Sequence, residues 1–373
     1  MNRRSLLTAT ASLICVGCGG RAIADPPGTA SSASTTAWLD DLRTANGIPA
    51  LGGAVVSAGG LPWIGVSGVR QAGGQNPVTT HDRWHLGSNT KAMTAALYAR
   101  LVEQGRARWQ VPVPSLFPDL EIDPAWADIT IEQLLGHRAG ILDDRFMPVW
   151  MIQAWASDDL QAARGTLAQS VLGTAPPGPV GTFAYSNVGY VIAGTAIERI
   201  TGEPWEATVR REVFEALGMA SAGFGAPSGD NAWGHLGPGL VPRDPTGILA
   251  DNPPALGPAG TVHASLEDYA RFLRVFLTDG GGWLSSDSLT RLTTPLAGDD
   301  PAYALGWGIV SGPAWTGGTP ALTHDGSNTM WYARAVVAPA RNAALICVAN
   351  AAGPAQSAID GLTQTLIERF PVV

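Results

Sequence analysis

Apolar runs with strand character occur near both ends of this chain and thin out between them. Gly52 to Ala58 and Trp63 to Val69 are separated by Gly59-Gly60, the pattern of a β-hairpin. Similar runs return at Ala304 to Ser311, Trp331 to Ala338 and Ala343 to Ala349. The stretch from 106 to 250 instead carries helical spacing, in Ile131 to Gly136, Leu160 to Leu172, Val188 to Thr201 and Trp205 to Leu217. Such a chain builds one sheet by bringing its two ends together, which leaves the middle as an insertion. The expected organisation is an α/β lobe of residues 36–105 and 251–373 with an inserted, mainly helical lobe of residues 106–250. Further helices are expected from Trp38 to Gly47, from a Ser265-x-x-Asp268 cap through Leu277, and from Ala355 to Phe370.

The 373 residues suffice for a large core, and 45% hydrophobic against 14% charged content fits a compact globule. A net charge of −8 without a basic patch argues against nucleic acid as a partner. The first residues read as an export signal: Arg3-Arg4, the apolar run Leu6 to Val16, then the small-residue site Ala22-Ile23-Ala24. That run is shorter than the roughly 20 residues of a membrane span. Asn2 to Leu7 resembles a twin-arginine signal. Residues 1–24 are therefore expected to be a signal peptide cleaved after Ala24, residues 25–35 a linker, and the mature protein periplasmic or secreted. Attachment to a membrane would require lipidation at Cys18. Cleavage would leave Cys347 as the one cysteine, inside an apolar run where it reads as a small core residue.

Lys91 is the chain's single lysine; arginine carries the positive charge everywhere else. It stands three residues after Ser88, in Gly87-Ser88-Asn89-Thr90-Lys91, and the residues through Val102 predict a helix apolar on most sides that ends at Gly105. Arginine keeps its proton in proteins, whereas burial can push a lysine ammonium to the neutral amine. One helical turn from a hydroxyl, such an amine is a base beside a nucleophile. Ser88 also falls at the helix N-terminus, where unpaired N–H groups can hold an oxyanion. To act at neutral pH the lysine must fall from about 10.4 to about 7–8, some 3–4 kcal/mol. The positive end of the helix supplies about 0.3–1 kcal/mol of that, so desolvation must supply the rest.

Three further stretches offer partners: Tyr185-Ser186-Asn187 within Pro176 to Tyr190, His324-Asp325-Gly326-Ser327 at a strand end, and Leu134 to Ile141 around His137. With Ser88-Asn89-Thr90-Lys91 they resemble the serine β-lactamase and penicillin-binding protein family, in its class C-like branch. That branch includes D-alanyl-D-alanine carboxypeptidases, D-aminopeptidases, class C β-lactamases and esterases. Ser88 to Lys91 matches Ser-x-x-Lys, Tyr185 to Asn187 matches Tyr-x-Asn, and His324-Asp325-Gly326 stands where the family has Lys-Thr-Gly or His-x-Gly. Gly257 to Gly260 and Tyr303 to Gly308 are further signposts, and the likeness covers roughly residues 36 to 370.

The resemblance implies an antiparallel sheet flanked by helices, and an enzyme acting through an acyl-enzyme without cofactor or metal. It implies Ser88 as nucleophile and Lys91 with Tyr185 as the acid–base pair. Asn187 would orient the acyl portion of the substrate, and His324 would line the wall near the leaving group. Backbone N–H groups of Ser88 and Ser327 would form the oxyanion hole. Either a neutral Lys91 or a Tyr185 phenolate beside a charged Lys91 fits the role of base.

The third motif departs from the lactamase pattern, because its lysine is missing and Asp325 replaces the hydroxyl. An Asp beside a substrate carboxylate repels it by about 4 kcal/mol at 4 Å in an effective dielectric near 20. Neutral esters, or amine-bearing amides and peptides, are thus the expected small-molecule partners, with weak β-lactamase activity at most. A true class C-like β-lactamase and a non-catalytic binder of penicillin or peptidoglycan peptides are the alternatives. Trp331, where relatives carry Phe, is a candidate pocket wall, with packing in the core as its other reading in a chain of 13 Trp, and the chain is expected to act as a monomer.

Overall fold

The hairpin read at Gly59-Gly60 is formed by β1 (Ala50–Ser57) and β2 (Gly60–Gly68), preceded by α1 (Ala37–Ala45). The structure is a computed structural model and describes residues 36–297 and 302–370. The signal peptide and linker expected over residues 1–35 lie outside the described residues. After the hairpin come β3 (Arg83–His85), a 3₁₀ turn over Gly87–Asn89, and α2 (Thr90–Glu103). Five helices follow: α3 (Ile131–Leu135), α4 (Asp143–Trp155), α5 (Leu160–Leu172), α6 (Asn187–Thr201) and α7 (Trp205–Val209). Short strands β4 (Gly223–Phe224), β5 (Gly234–Leu236) and β6 (Val241–Arg243) then lead to α8 (Gly257–Gly260), β7 (Val262–Ser265), α9 (Leu266–Val275) and α10 (Ser286–Thr293). The chain closes with β8 (Gly308–Val310), β9 (Ala321–Ser327), β10 (Tyr332–Ala338), β11 (Ala343–Ala349) and α11 (Ala355–Arg369).

Six strands form one antiparallel sheet in the order β2-β1-β11-β10-β9-β8, so both parts of the chain contribute to it. Side chains alternate across each strand. Leu51 and Val55 of β1, with Leu345 and Cys347 of β11, pack against Leu39 of α1 and Ile359, Leu362 and Leu366 of α11. Ala54, Val56, Ile346 and Val348 face the other way, into the larger core that holds α2 and α9. Cys347 is buried on the α1 and α11 side, and its burial pushes the thiol up to about 12.

α2 is buried from Thr90 to Ala99. That matches its lack of a polar face. Ser265 caps α9 by accepting from the Asp268 N–H.

Two elements differ from the pattern in the sequence. The run Ala304 to Ser311 pairs only over Gly308–Val310, because the Ala304 N–H turns back to the Trp307 carbonyl, with Gly306 at φ +87°. α4 carries Pro148 in its interior and exposes Val149 and Ile152, so no apolar stripe marks it as a helix.

Candidate active site

Ser88 sits in the turn that leads into α2, half-buried, with Lys91 one turn further and fully buried behind it. Lys91 Nζ lies 3.1 Å from Ser88 Oγ, 2.8 Å from Asn187 Oδ1 and 2.7 Å from the Ala259 carbonyl of α8. Its burial brings the amine from 10.5 down to about 7, against a smaller upward pull from Asp143. The amine also stands 4.9 Å from the centre of the Tyr185 ring. The Tyr185 phenol shares a hydrogen bond with the Ser88 side chain, and burial pushes it above its ordinary value. Ser88, Lys91, Tyr185 and Asn187 are therefore brought together.

Asn187 opens α6 and is held from behind by Asp143, the first residue of α4. Asp143 accepts from the Asn187 backbone N–H at 2.7 Å, its side-chain amide at 3.0 Å, the Val188 N–H at 3.2 Å and the Ser186 hydroxyl at 2.6 Å. The carboxylate thus caps a helix other than its own. It also fixes the sense of the Asn187 amide: nitrogen toward the carboxylate, oxygen toward Lys91. Its oxygen is thus engaged with Lys91, while one of the two N–H groups of the amide goes to Asp143.

His137 supports Tyr185 from the other side. At φ +59° it occupies the left-handed region, uncommon for a residue with a side chain. There its carbonyl accepts from the Ala184 N–H at 2.8 Å and its Nδ1 from the Ser186 N–H at 3.0 Å, one on each side of Tyr185. The two rings lie 4.3 Å apart. Neither Asp143 nor the His137 clamp was assigned a role from the sequence. Their partners lie more than forty residues away, although the motif around His137 was an available signal.

β9 forms the opposite wall. An ideal Cβ on Gly326 would lie 2.1 Å from Leu86 O and 2.7 Å from Ser88 N, and one on Gly87 would lie 2.4 Å from Ser327 N. Glycine at both positions is what lets strand and turn touch, and it brings the backbone amides of Ser88 and Ser327 side by side. The Ser327 hydroxyl donates to the Trp331 carbonyl at 2.7 Å, so only the backbone of Ser327 is free to serve the site.

His324 is buried beside Tyr185, with ring centres 6.4 Å apart. Its Nδ1 donates to the Asp325 carbonyl at 2.8 Å, and its Nε2 accepts from the Tyr303 hydroxyl at 3.0 Å. Burial first, and Lys91 second, bring its pKa to about 4, so the ring is neutral.

Two expectations are corrected. Asp325 points to the opposite face of β9, because side chains alternate along a strand. There it accepts from Arg334 at 2.6 and 2.8 Å and from the Tyr332 hydroxyl at 2.7 Å, while Arg334 also bonds Asp360 of α11. It is not positioned to repel a substrate. Trp331 is fully buried and stacks on His85 at 5.6 Å, packed under Gly234 of β5. It belongs to the core rather than to the pocket wall.

A sheet completed by strands from both parts of the chain, with Ser-x-x-Lys, Tyr-x-Asn and His-x-Gly motifs meeting beside it, defines a class. The chain belongs to the β-lactamase family of serine hydrolases, whose family model matches residues 35–368. It is 29% identical over 303 residues to penicillin-binding protein 4 of Amycolatopsis lactamdurans, covering 78% of this chain and 77% of that one. It is 26% identical over 324 residues to an unguisins hydrolase of Aspergillus violaceofuscus, covering 77% of this chain and 56% of that longer protein. Its fold is similar to that of the D-amino acid amidase of Ochrobactrum anthropi SV3, with a TM-score of 0.70 at 21% identity, over 89% of this chain and 95% of that one.

Proposed function

We propose that this protein is an exported serine hydrolase that cleaves neutral esters or amides through an acyl-enzyme on Ser88. The partners of Lys91 Nζ carry this reading. Asn187 Oδ1 and the Ala259 carbonyl can only accept, so they take two of the amine's N–H bonds. A neutral amine then has its lone pair left for the third direction, where the Ser88 hydroxyl donates to it across 3.1 Å. Burial brings Lys91 down to about 7 and pushes Tyr185 up, which favours Lys91 over a Tyr185 phenolate as the base.

In this mechanism Ser88 Oγ gives its proton to Lys91 and attacks the carbonyl carbon. The carbonyl oxygen takes up the electron pair and is met by the N–H groups of Ser88 and Ser327, each such donor being worth about 3 kcal/mol in comparable sites. The tetrahedral species expels its leaving group, which departs with the proton held on Lys91, relayed through the Tyr185 phenol. Water then gives a proton to Lys91 and attacks the acyl carbon, and Ser88 Oγ leaves with that proton.

His324 supports the choice of substrate. Both its ring nitrogens are committed and it is neutral, so β9 presents no cation to hold a carboxylate. Uncharged groups on that side are favoured. The names of two similar proteins, an unguisins hydrolase and a D-amino acid amidase, speak for amide bonds. Export is proposed from Arg3-Arg4, the apolar run and the Ala22-Ile23-Ala24 site.

Intact-mass analysis with a fluorophosphonate, alongside turnover of a short-chain p-nitrophenyl ester and of nitrocefin, tests the reading. An adduct on the wild type that Ser88→Ala lacks, with higher kcat/KM on the ester, is expected. Higher kcat/KM on nitrocefin would make the protein a β-lactamase, and an acyl adduct that never clears would make it a binder.

A further inference from the structure

Behind the turn that carries Ser88 lies a buried polar chain that the mechanism above does not use. His85 of β3 is fully buried, and its Nδ1 accepts from the Gly87 N–H at 3.1 Å. That acceptor role puts the ring proton on Nε2, which donates to Asp251 Oδ2 at 2.9 Å. The other oxygen of Asp251 accepts from the Asn328 side-chain amide at 2.8 Å and from the Asn252 N–H at 2.7 Å. Asn328 in turn accepts from the N–H groups of Met330 and Trp331, both at 3.1 Å. The Asp251 side chain is 8% exposed.

Gly87 directly precedes Ser88, and Asn328 directly follows Ser327. One carboxylate therefore reaches, through His85 on one side and Asn328 on the other, the two backbone segments whose amides face each other at Ser88. Those segments come from β3 with its turn and from β9, which are not paired in one sheet. Apart from the contact allowed by Gly87 and Gly326, the His85–Asp251–Asn328 chain is a second tie across this gap.

We propose that Asp251 is a positioning residue that sets the separation and aim of the Ser88 and Ser327 amides, and so the strength of the oxyanion hole. The inference rests on the functional reading above. A carboxylate suits this place because it accepts on both sides, toward His85 and toward Asn328. An amide accepts on one side only, so Asp251→Asn breaks one arm at nearly constant volume.

An ester and its thionoester, in which C=S replaces the carbonyl, distinguish positioning from general structural support. Sulfur accepts hydrogen bonds weakly, so an intact oxyanion hole favours the ester strongly. Asp251→Asn, and separately Asn328→Ala, are expected to lower kcat on the ester at least tenfold with KM within twofold. The thionoester rate should change little, so that the ester-to-thionoester ratio shrinks at least fivefold. Thermal melts record the folded fraction, and Asn328→Ala carries the test if Asp251→Asn is poorly folded. Ester and thionoester rates that fall in parallel, or a ratio equal to the wild type's in a folded variant, would overturn the proposal alone. A wild type inert to both substrates and unlabelled at Ser88 would overturn the functional reading and this inference with it.

Discussion

Asp143 and Asn187 are joined twice, through the backbone N–H at 2.7 Å and the side-chain amide at 3.0 Å. This double contact places the Asn187 oxygen against Lys91 and makes a residue of α4 part of the geometry of the proposed base. Asp143 also raises the pKa of Lys91 through its charge, in opposition to burial.

Asp143→Ala removes an acceptor from four donors at the start of α6 and frees the Asn187 amide to rotate. We expect kcat to fall about 10- to 100-fold and stability to fall by about 1–3 kcal/mol. The distinguishing readout is the pH profile. Without the carboxylate, the pKa of Lys91 drops and the acidic limb of kcat/KM moves to lower pH. An unmoved limb in a folded variant would separate Asp143 from the base.

Because the proposed mechanism requires the neutral amine, kcat/KM should rise with pH through an apparent pKa of about 7. The same shift acts on stability. Between pH 7 and 10.5 the unfolded chain holds a proton on Lys91 that the folded chain does not, so this contribution to stability rises with pH across that window. Below pH 7 the folded state carries a buried charge at a cost of about 5 kcal/mol at most. Lys91→Met should therefore be inactive yet melt higher than the wild type at pH 6, with the advantage shrinking toward pH 10. Equal gains at both pH values would contradict the depressed pKa.

Asp325→Asn should leave kcat/KM within twofold for neutral and anionic esters alike, since its side chain faces α11 and not the pocket. Its carboxylate is 40% exposed and Arg334 keeps Asp360, so the loss of stability should stay near 1 kcal/mol. A selective gain on anionic esters would return Asp325 to the site.

Gly326→Ala places a methyl group where the Leu86 carbonyl and the Ser88 amide already stand. The strand must then move away from the turn. We expect kcat to fall about 10²- to 10³-fold, as when an oxyanion donor is lost, with labelling of Ser88 slowed in parallel. Crystallography of the variant would show whether the two amides have separated.

What could be read in the sequence followed distance along the chain. Ser88 and Lys91 are one turn apart on a helix without a polar face, so their proximity and burial were both legible. The hairpin, α5, α6, α9 and α11 announced themselves by period and punctuation. α4 did not, because Pro148 and the exposed Val149 and Ile152 break the stripe that burial would impose. Asp143, Asp251 and the Ala259 carbonyl were invisible for a different reason: each acts on a partner distant in sequence, and no local pattern encodes that encounter. Asp325 was misread because adjacency in a motif was taken for adjacency in space, whereas neighbours on a strand face opposite ways.

The position of β11 bears on how the molecule is made. It lies between β1 and β10, so the sheet stays split until residue 349 has left the ribosome. Pairing of β1 with β11 joins segments nearly three hundred residues apart, as in Leu51 with Ala349, and such contacts close late. For the export proposed above, the sheet can close before translocation only on a route that carries folded cargo.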